Sequence, residues 1–149
     1  MSLHAKELGR EDIPFVHHVY GQNRATLHGK PISREEWLAC IFGEAADPFE
    51  AHFIILEDAT PAAWLKLNAL DQPELWISML VVDREYQRRG IGKFALQFAE
   101  EYAKNHAKRA ICVQTTKDNR IAQACYLNCG YEKTARTRTH QKFQKLLGG

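Results

Sequence analysis

The spacing of apolar residues changes along the chain, and each change marks an element. Residues 3 to 8 suit a short first strand. Glu11-Asp12-Ile13-Pro14 reads as a helix start, because acids favour the positive end of a helix and proline's missing N–H is harmless in the first turn. Ser33-Arg34-Glu35-Glu36 repeats the signal: serine followed three residues later by glutamate is a capping box, opening a helix through Phe42. Two apolar runs follow, His52 to Leu56 and Ala63 to Leu67. Glu57-Asp58-Ala59-Thr60-Pro61 between them predicts an antiparallel hairpin. Leu75 to Val82 is the most continuous apolar run in the chain, which predicts a strand covered on both faces.

Beyond it the pattern turns helical. Ala95, Phe98, Ala99, Tyr102, Ala103 and His106 follow the i, i+3, i+4, i+7 spacing, with Lys93, Gln97, Glu100, Glu101 and Lys104 on the polar side. Arg109 to Thr115 reads as the next strand, so residues 75 to 115 form a βαβ unit, right-handed with parallel strands. Asn119 to Cys129 is a short helix stopped by Gly130, and Tyr131 to Leu147 supplies one or two weaker strands. Without repeats, low-complexity stretches or a Gly/Ser linker, residues 1–149 read as one domain.

Composition narrows the function classes. A chain of 149 residues, 45% hydrophobic and 26% charged, can bury a sufficient core without disulfides or metal. No run approaches the roughly 18 apolar residues of a membrane span, and the N-terminus lacks the basic-then-apolar order of a signal peptide, so a cytoplasmic protein is expected. Cys40, Cys112, Cys125 and Cys129 sit singly in apolar surroundings and read as buried free thiols; no second Cys or His pair with zinc spacing accompanies Cys125 and Cys129, so no metal is expected. A net charge of +2 without a clustered basic stripe argues against nucleic acid.

The chemistry points to Gln87-Arg88-Arg89-Gly90-Ile91-Gly92, which precedes a helix directly. Glycines in a helix's first turn leave N–H groups exposed, and with the helix dipole these make an anion site. Missing side chains let the backbone approach a phosphate, Arg88 and Arg89 add charge, and the loop suits a pyrophosphate. Gly90-Ile91-Gly92-Lys93-Phe94-Ala95 also satisfies the dinucleotide fingerprint G-x-G-x-x-G/A, with Asp118 in the role of the later acid. Two features oppose a dinucleotide fold: Asp83 to Arg89 separate the strand from the glycines, and too little chain follows Thr116 for its further parallel strands.

Gln87-Arg88-Arg89-Gly90-Ile91-Gly92 resembles the Q/R-x-x-G-x-G/A pyrophosphate motif of the GNAT superfamily of acetyl-CoA-dependent N-acetyltransferases. Asn119-Arg120-Ile121-Ala122-Gln123-Ala124-Cys125-Tyr126-Leu127-Asn128-Cys129-Gly130-Tyr131 is similar to that family's N-x-x-A-x-x-x-Y-x-x-x-G-F/Y segment. The resemblance covers Trp76 to Tyr131. It implies an α+β fold: a central mixed, mostly antiparallel sheet, splayed between its fourth and fifth strands and flanked by helices. It also implies acetyl-CoA as co-substrate. The pantetheine arm would lie in the splay and pair with backbone around Leu80, Val81 and Val82, which needs no particular side chain. Gln87 to Gly92 with Lys93 would hold the pyrophosphate, and Asn119 and Ala122 would line the arm. Asn119 also reads as a helix N-cap.

Attack by a neutral amine on the thioester expels a thiolate, which leaves more easily when an acid protonates it. Tyr126 matches the family position for that acid; otherwise it reads as a buried tyrosine anchored by one hydrogen bond. The places where relatives carry a basic carboxylate hold Trp76 and Gln114. Glu74, two residues before Trp76 and on the same strand face, is the nearest substitute and otherwise a solvated strand-end charge. His17, His18, His28, His52, His106 and His140 lack a supporting motif. The acceptor, a small molecule or a protein amine, is expected between the two early helices and the hairpin, near Trp37, Trp64, Trp76 and the acids Glu35, Glu36, Glu44, Asp47 and Glu50. A homodimer is compatible with this reading. The rival function is a non-catalytic acyl-CoA-binding module or sensor.

Overall fold

The computed structural model describes residues 2–148, so Met1 and Gly149, the ends of the expected domain, lie outside the described residues. The first strand is β1 (Leu3–Glu7), and a short 3-10 turn over Arg10–Asp12 leads into α1 (Ile13–Asn23), with Pro14 in the first turn. The second helix is α2 (Arg34–Phe42). Its capping box forms as expected: Glu36 N donates to Ser33 Oγ at 3.1 Å and Ser33 N to Glu36 Oε1 at 3.2 Å. Such a cap stabilises a helix by about 1 kcal/mol.

The hairpin comprises β2 (Ala51–Glu57) and β3 (Thr60–Asn68), antiparallel. Its turn is tighter than predicted: Thr60 and Pro61 belong to β3, leaving Asp58 and Ala59 as the connection, with Asp58 at φ 54°. Pro61 is tolerated because it pairs with Leu56 where the register shifts, and the ladder is already irregular there. The βαβ unit follows as β4 (Glu74–Val82), α3 (Ile91–Asn105) and β5 (Ala110–Thr116), with β4 and β5 parallel. After α4 (Arg120–Asn128), the tail forms β6 (Glu132–Arg136) and β7 (His140–Leu146).

Among the described residues all strands join one seven-stranded sheet in the order β1-β2-β3-β4-β5-β7-β6, and only the β4–β5 neighbours are parallel. This is the mixed, mostly antiparallel sheet expected. Apolar side chains leave the sheet alternately, so each face has its own core. On one face Trp64 and Val81 pack with Val16, Val19, Tyr20 and Trp37 of α1 and α2. On the other, Leu65, Leu75, Ile77 and Phe143 pack with Leu96, Ala99 and Ala103 of α3 and with Tyr126.

Two expectations are corrected. β4 is not covered on both faces throughout: Leu75, Ile77 and Val81 are buried, but Ser78 is exposed and Met79, Leu80 and Val82 are only half-buried. Its second half borders an opening in the sheet. Glu100, read as part of the polar side of α3, is buried, because Lys145 Nζ donates to it at 2.9 Å and the Tyr131 hydroxyl at 3.2 Å. Paired in this way, a charge tolerates loss of water.

Candidate active site

The opening lies between β4 and β5. Their parallel ladder runs from Glu74↔Ala110 to Ile77↔Val113 and ends there, although both strands continue. Past that rung β4 is held by β3, through Met79↔Lys66, Leu80↔Leu65, Val81↔Trp64 and Val82↔Ala63. β5 is held by β7, through Gln114↔Lys142, Thr115↔Gln141 and Thr116↔His140. The facing edges therefore diverge as a fork with unpaired main-chain groups, which can accept an extended ligand as an added strand would. The fork begins at a bulge. Leu67 pairs with Ile77 and Lys66 with Met79, so Ser78 is one residue too many on β4, and such an insertion bends the strand that carries it.

At the end of β4, Asp83 to Gln87 anchor the loop to α1. Asp83 is buried and caps a 3-10 turn, accepting from Glu85 N at 3.0 Å, with His18 Nε2 at 3.4 Å from its other oxygen. Arg84 donates to the Gln22 carbonyl at 2.6 Å, and the Gln87 amide donates to the Val82 carbonyl at 3.3 Å. Arg88 (φ 65°) and Gly90 (φ 80°) take left-handed conformations that turn the chain into α3. Consequently the main-chain N–H groups of Arg88, Arg89, Gly90, Ile91, Gly92 and Lys93 donate to no protein acceptor among the described residues. They sit at the positive end of a 15-residue helix, which makes a site for an anion. Arg89 is already engaged, donating to Glu57 at 3.2 Å and lying over the Tyr86 ring at 5.1 Å. Arg88 and Lys93 have no ion-pair partner among the described residues.

The second expected segment meets the first through α4. A Cβ placed on Gly92 would lie 3.9 Å from Cys125 Sγ, so the start of α3 touches the turn that carries Tyr126. Gly130, at φ 89°, ends α4: Tyr131 N donates to the Tyr126 carbonyl at 3.0 Å and Gly130 N to Leu127 at 3.1 Å, which locks the last turn. The Tyr126 ring is buried against Phe143, with centroids 5.4 Å apart, and against Tyr131 at 6.2 Å. Its hydroxyl has no hydrogen-bond partner among the described residues, yet it is not among the enclosed orphan atoms, so it meets solvent. Burial, with Cys125 beside it, pushes this phenol well above the ordinary tyrosine range. It remains a proton donor through neutral pH.

Asn119 caps α4, its Oδ1 accepting from Ala122 N at 3.2 Å. A cleft of about 510 Å³ opens beside it, lined by Ala25, Thr26 and His28 from the α1–α2 connection and by Asp118, Arg120 and Ile121.

Comparison with known proteins decides what this arrangement belongs to. The model of the acetyltransferase (GNAT) family matches residues 16–131. The chain belongs to the GNAT family. A segment of 64 residues is 33% identical to a probable N-acetyltransferase 14 of Xenopus tropicalis; it takes in 43% of this chain and 31% of that protein. The matched segment thus spans about a third of the curated relative's length. Among solved structures, the fold is similar to a PaiA N-acetyltransferase from Thermoplasma acidophilum in complex with coenzyme A, with TM-score 0.82 and 18% identity over 99% of this chain and 100% of that one. It is likewise similar to a spermidine N-acetyltransferase from Vibrio cholerae in complex with CoA and spermine, with TM-score 0.85 and 16% identity over 97% and 95% of the two chains.

Within this GNAT fold the remaining sequence candidates are dispersed. Trp76 lies below the fork, its ring under Lys142 Nζ at 5.0 Å, and Gln114 is exposed just above it. Glu74 opens β4 on the paired side of the fork, where its carboxylate accepts from Arg109 Nη2 at 3.1 Å and Gln144 Nε2 at 3.2 Å. Trp37 and Trp64 stack edge-on at 5.1 Å inside the α1–α2 core rather than lining a surface. Glu50 joins a half-buried network: it accepts from Lys66 at 3.2 Å and Asn68 at 3.1 Å, and pairs with His52 at 3.3 Å. The sequence pattern does not mark Asp83, Arg84, Gln22 or Ser78 as site residues. Asp83-Arg84-Glu85 does carry a capping signal, but nothing local in the sequence reveals the Arg84–Gln22 contact or the bulge.

Proposed function

We propose that this protein transfers the acetyl group of acetyl-CoA to a primary amine by direct attack in a ternary complex. The observation that carries this reading is the fork between β4 and β5, which leads to a loop of unpartnered amides, with Tyr126, its hydroxyl unclaimed, in the same buried cluster as Ile77 and Val113 of the fork's last rung. The pyrophosphate would accept from the amides of Arg88 to Lys93, with Arg88 and Lys93 adding positive charge. The pantetheine arm would extend along Leu80, Val81 and Val82, with Asn119 and Ala122 at its side. In the reaction the amine nitrogen bonds to the acetyl carbon and the carbon–sulfur bond breaks. The sulfur takes the Tyr126 proton, and the amine proton passes to solvent, which also reprotonates Tyr126. The carbonyl oxygen would be stabilised meanwhile by a main-chain N–H of the splayed strand.

No carboxylate stands on the splayed part of either strand, Ser78 to Val82 or Gln114 to Thr116. Glu74, tied to Arg109 and Gln144 at the closed end, is the nearest acid on β4. We assign the amine's proton to water, with Glu74 as the acid most able to influence it. The test is thermal melting with acetyl-CoA, free CoA and NAD, followed by release of the CoA thiol in the presence of primary amines. Stabilisation by the CoA forms and amine-dependent release are expected. Stabilisation by NAD alone overturns the reading, and stabilisation by acetyl-CoA without release to any amine leaves a binding module.

A further inference from the structure

The network around Glu50 ends at the bulge, and the donors and acceptors along it fix the direction of each hydrogen bond. Trp64 Nε1 can only donate, and it does so to His52 Nδ1 at 3.3 Å, so that nitrogen is the bare one and Nε2 carries the proton. His52 Nε2 lies 3.3 Å from Glu50 Oε2 and therefore donates to it. The Glu50 carboxylate only accepts, taking Lys66 Nζ at 3.2 Å and Asn68 Nδ2 at 3.1 Å on its other oxygen. With its NH2 group fixed in this way, Asn68 must present Oδ1 to Ser78, and the Ser78 hydroxyl donates to it. The other neighbour of Ser78 Oγ, the Lys66 carbonyl at 3.4 Å, is also an acceptor. Both protein partners thus compete for the single hydroxyl proton. The oxygen lone pairs of Ser78 are directed to whatever occupies the exposed side of the residue.

Ser78 is the first residue of β4 past the last β4–β5 rung. Its bulge puts it and Met79 on the sheet face opposite Ile77, away from α3 and on the side of α1 and α2. We propose that Ser78 Oγ accepts an N–H of the incoming amine and so holds the acceptor nitrogen at the apex of the fork, with Asn68 acting through it as a positioning residue. A primary amine held by one N–H keeps its lone pair free to attack. A group that can only accept also selects for a donor over an ether or ester oxygen. This rests on the transferase reading above.

The experiment takes amine KM and kcat for the best substrate of a set (spermidine, lysine methyl ester, alanine amide, tyramine) in wild type, Ser78→Ala, Ser78→Thr and Asn68→Leu, with acetyl-CoA melting shifts alongside. Loss of one neutral hydrogen bond predicts a rise in amine KM of roughly five- to tenfold for Ser78→Ala and Asn68→Leu. Ser78→Thr, which keeps the oxygen, should stay near wild type, and all four proteins should keep the acetyl-CoA shift. Unchanged KM in Ser78→Ala, or an equal rise in Ser78→Thr, overturns the proposal while leaving the transferase standing. Absence of an acetyl-CoA shift in wild type instead defeats the transferase reading. A shift without acetylation of any of these amines defeats both.

Discussion

Replacing Gly90 and Gly92 separately with alanine distinguishes what the phosphate loop requires of the backbone from what it requires of open space. Gly90 stands at φ 80°, ψ 10°, and a Cβ there would find nothing within 4 Å. The whole cost of Gly90→Ala is then conformational, about 1–2 kcal/mol for a left-handed residue bearing a side chain. For a chain of this size, each kcal/mol moves the midpoint by about 2–4 °C, so a loss of about 2–8 °C is expected. Gly92 lies inside α3 without a left-handed φ, and its Cβ would make only an ordinary contact with Cys125 Sγ at 3.9 Å. Gly92→Ala should melt with wild type or somewhat above it, since alanine in a helix gains up to about 1 kcal/mol over glycine. Acetyl-CoA at 100 times its dissociation constant should stabilise the wild type by about 2.7 kcal/mol. Gly90→Ala, whose strained turn relaxes and re-aims the loop amides, should lose about 1.4 kcal/mol of that for each tenfold weakening. Differential scanning with and without acetyl-CoA reads both quantities. Equal melting of Gly90→Ala and wild type, or equal losses at the two glycines, refutes the reasoning.

Tyr126→Phe removes a hydroxyl with no partner among the described residues, so its stability should stay within about 0.5 kcal/mol of wild type while kcat falls by about 100-fold or more; a clear loss of melting temperature at unchanged kcat would show an anchoring role instead. Lys145→Met leaves the buried Glu100 carboxylate with only the Tyr131 hydroxyl, and should cost about 2 kcal/mol in chemical denaturation, less than a fully buried pair because Lys145 is a third exposed. Tyr131→Phe should cost about 1 kcal/mol in the same assay. Acid stability should depend on the Glu50–His52 pair. Burial holds His52 below its ordinary pKa despite Glu50, so its contribution is complete above about pH 6.5 and fades as pH falls toward the depressed value. Burial raises the Glu50 pKa, but bonds from Asn68, Lys66 and His52 outweigh it and hold the group low, so its contribution persists above about pH 4.3 and is lost on further acidification. His52→Gln should flatten the fall of the melting temperature just below about pH 6.5; an undiminished slope there contradicts the assignment.

What the sequence revealed and what it concealed differ in range. The capping box at Ser33, the proline start of α1, the periodicity of α3 and the glycine stop at Gly130 are all set within one or two turns, and all are found. The two motifs lie on adjoining loops and helices because α3 and β5 join them, and Cys125 under Gly92 makes the contact. Burial of Glu100 depends on Lys145 and Tyr131, which no local pattern ties to α3. The order of the tail strands was equally hidden, since β7 inserts between β5 and β6. Ser78 sits unmarked within an apolar run, because a bulge is a relation between two strands and leaves no signature in one.

That bulge also accounts for the fork's persistence. A parallel pair that parts midway exposes main-chain donors and acceptors that would otherwise bond each other, and zipping them closed would relieve the loss. Three features oppose closure. The extra residue at Ser78 puts Met79 and Leu80 out of phase with the ladder below, so continued pairing with β5 would present the wrong faces to the two cores. β3 and β7 hold the diverging halves on their outer edges, so closing the gap would strain ladders already formed. Finally, Asp83 and Arg84 tie the end of β4 to α1, and the Asn23 amide reaches the Val82 carbonyl at 3.5 Å, so the strand end is drawn toward the helical layer instead of toward β5. On this account, deleting Ser78 should do more than remove a hydroxyl. It should restore phase, favour a closed sheet and abolish acetyl-CoA binding in a chain that still folds.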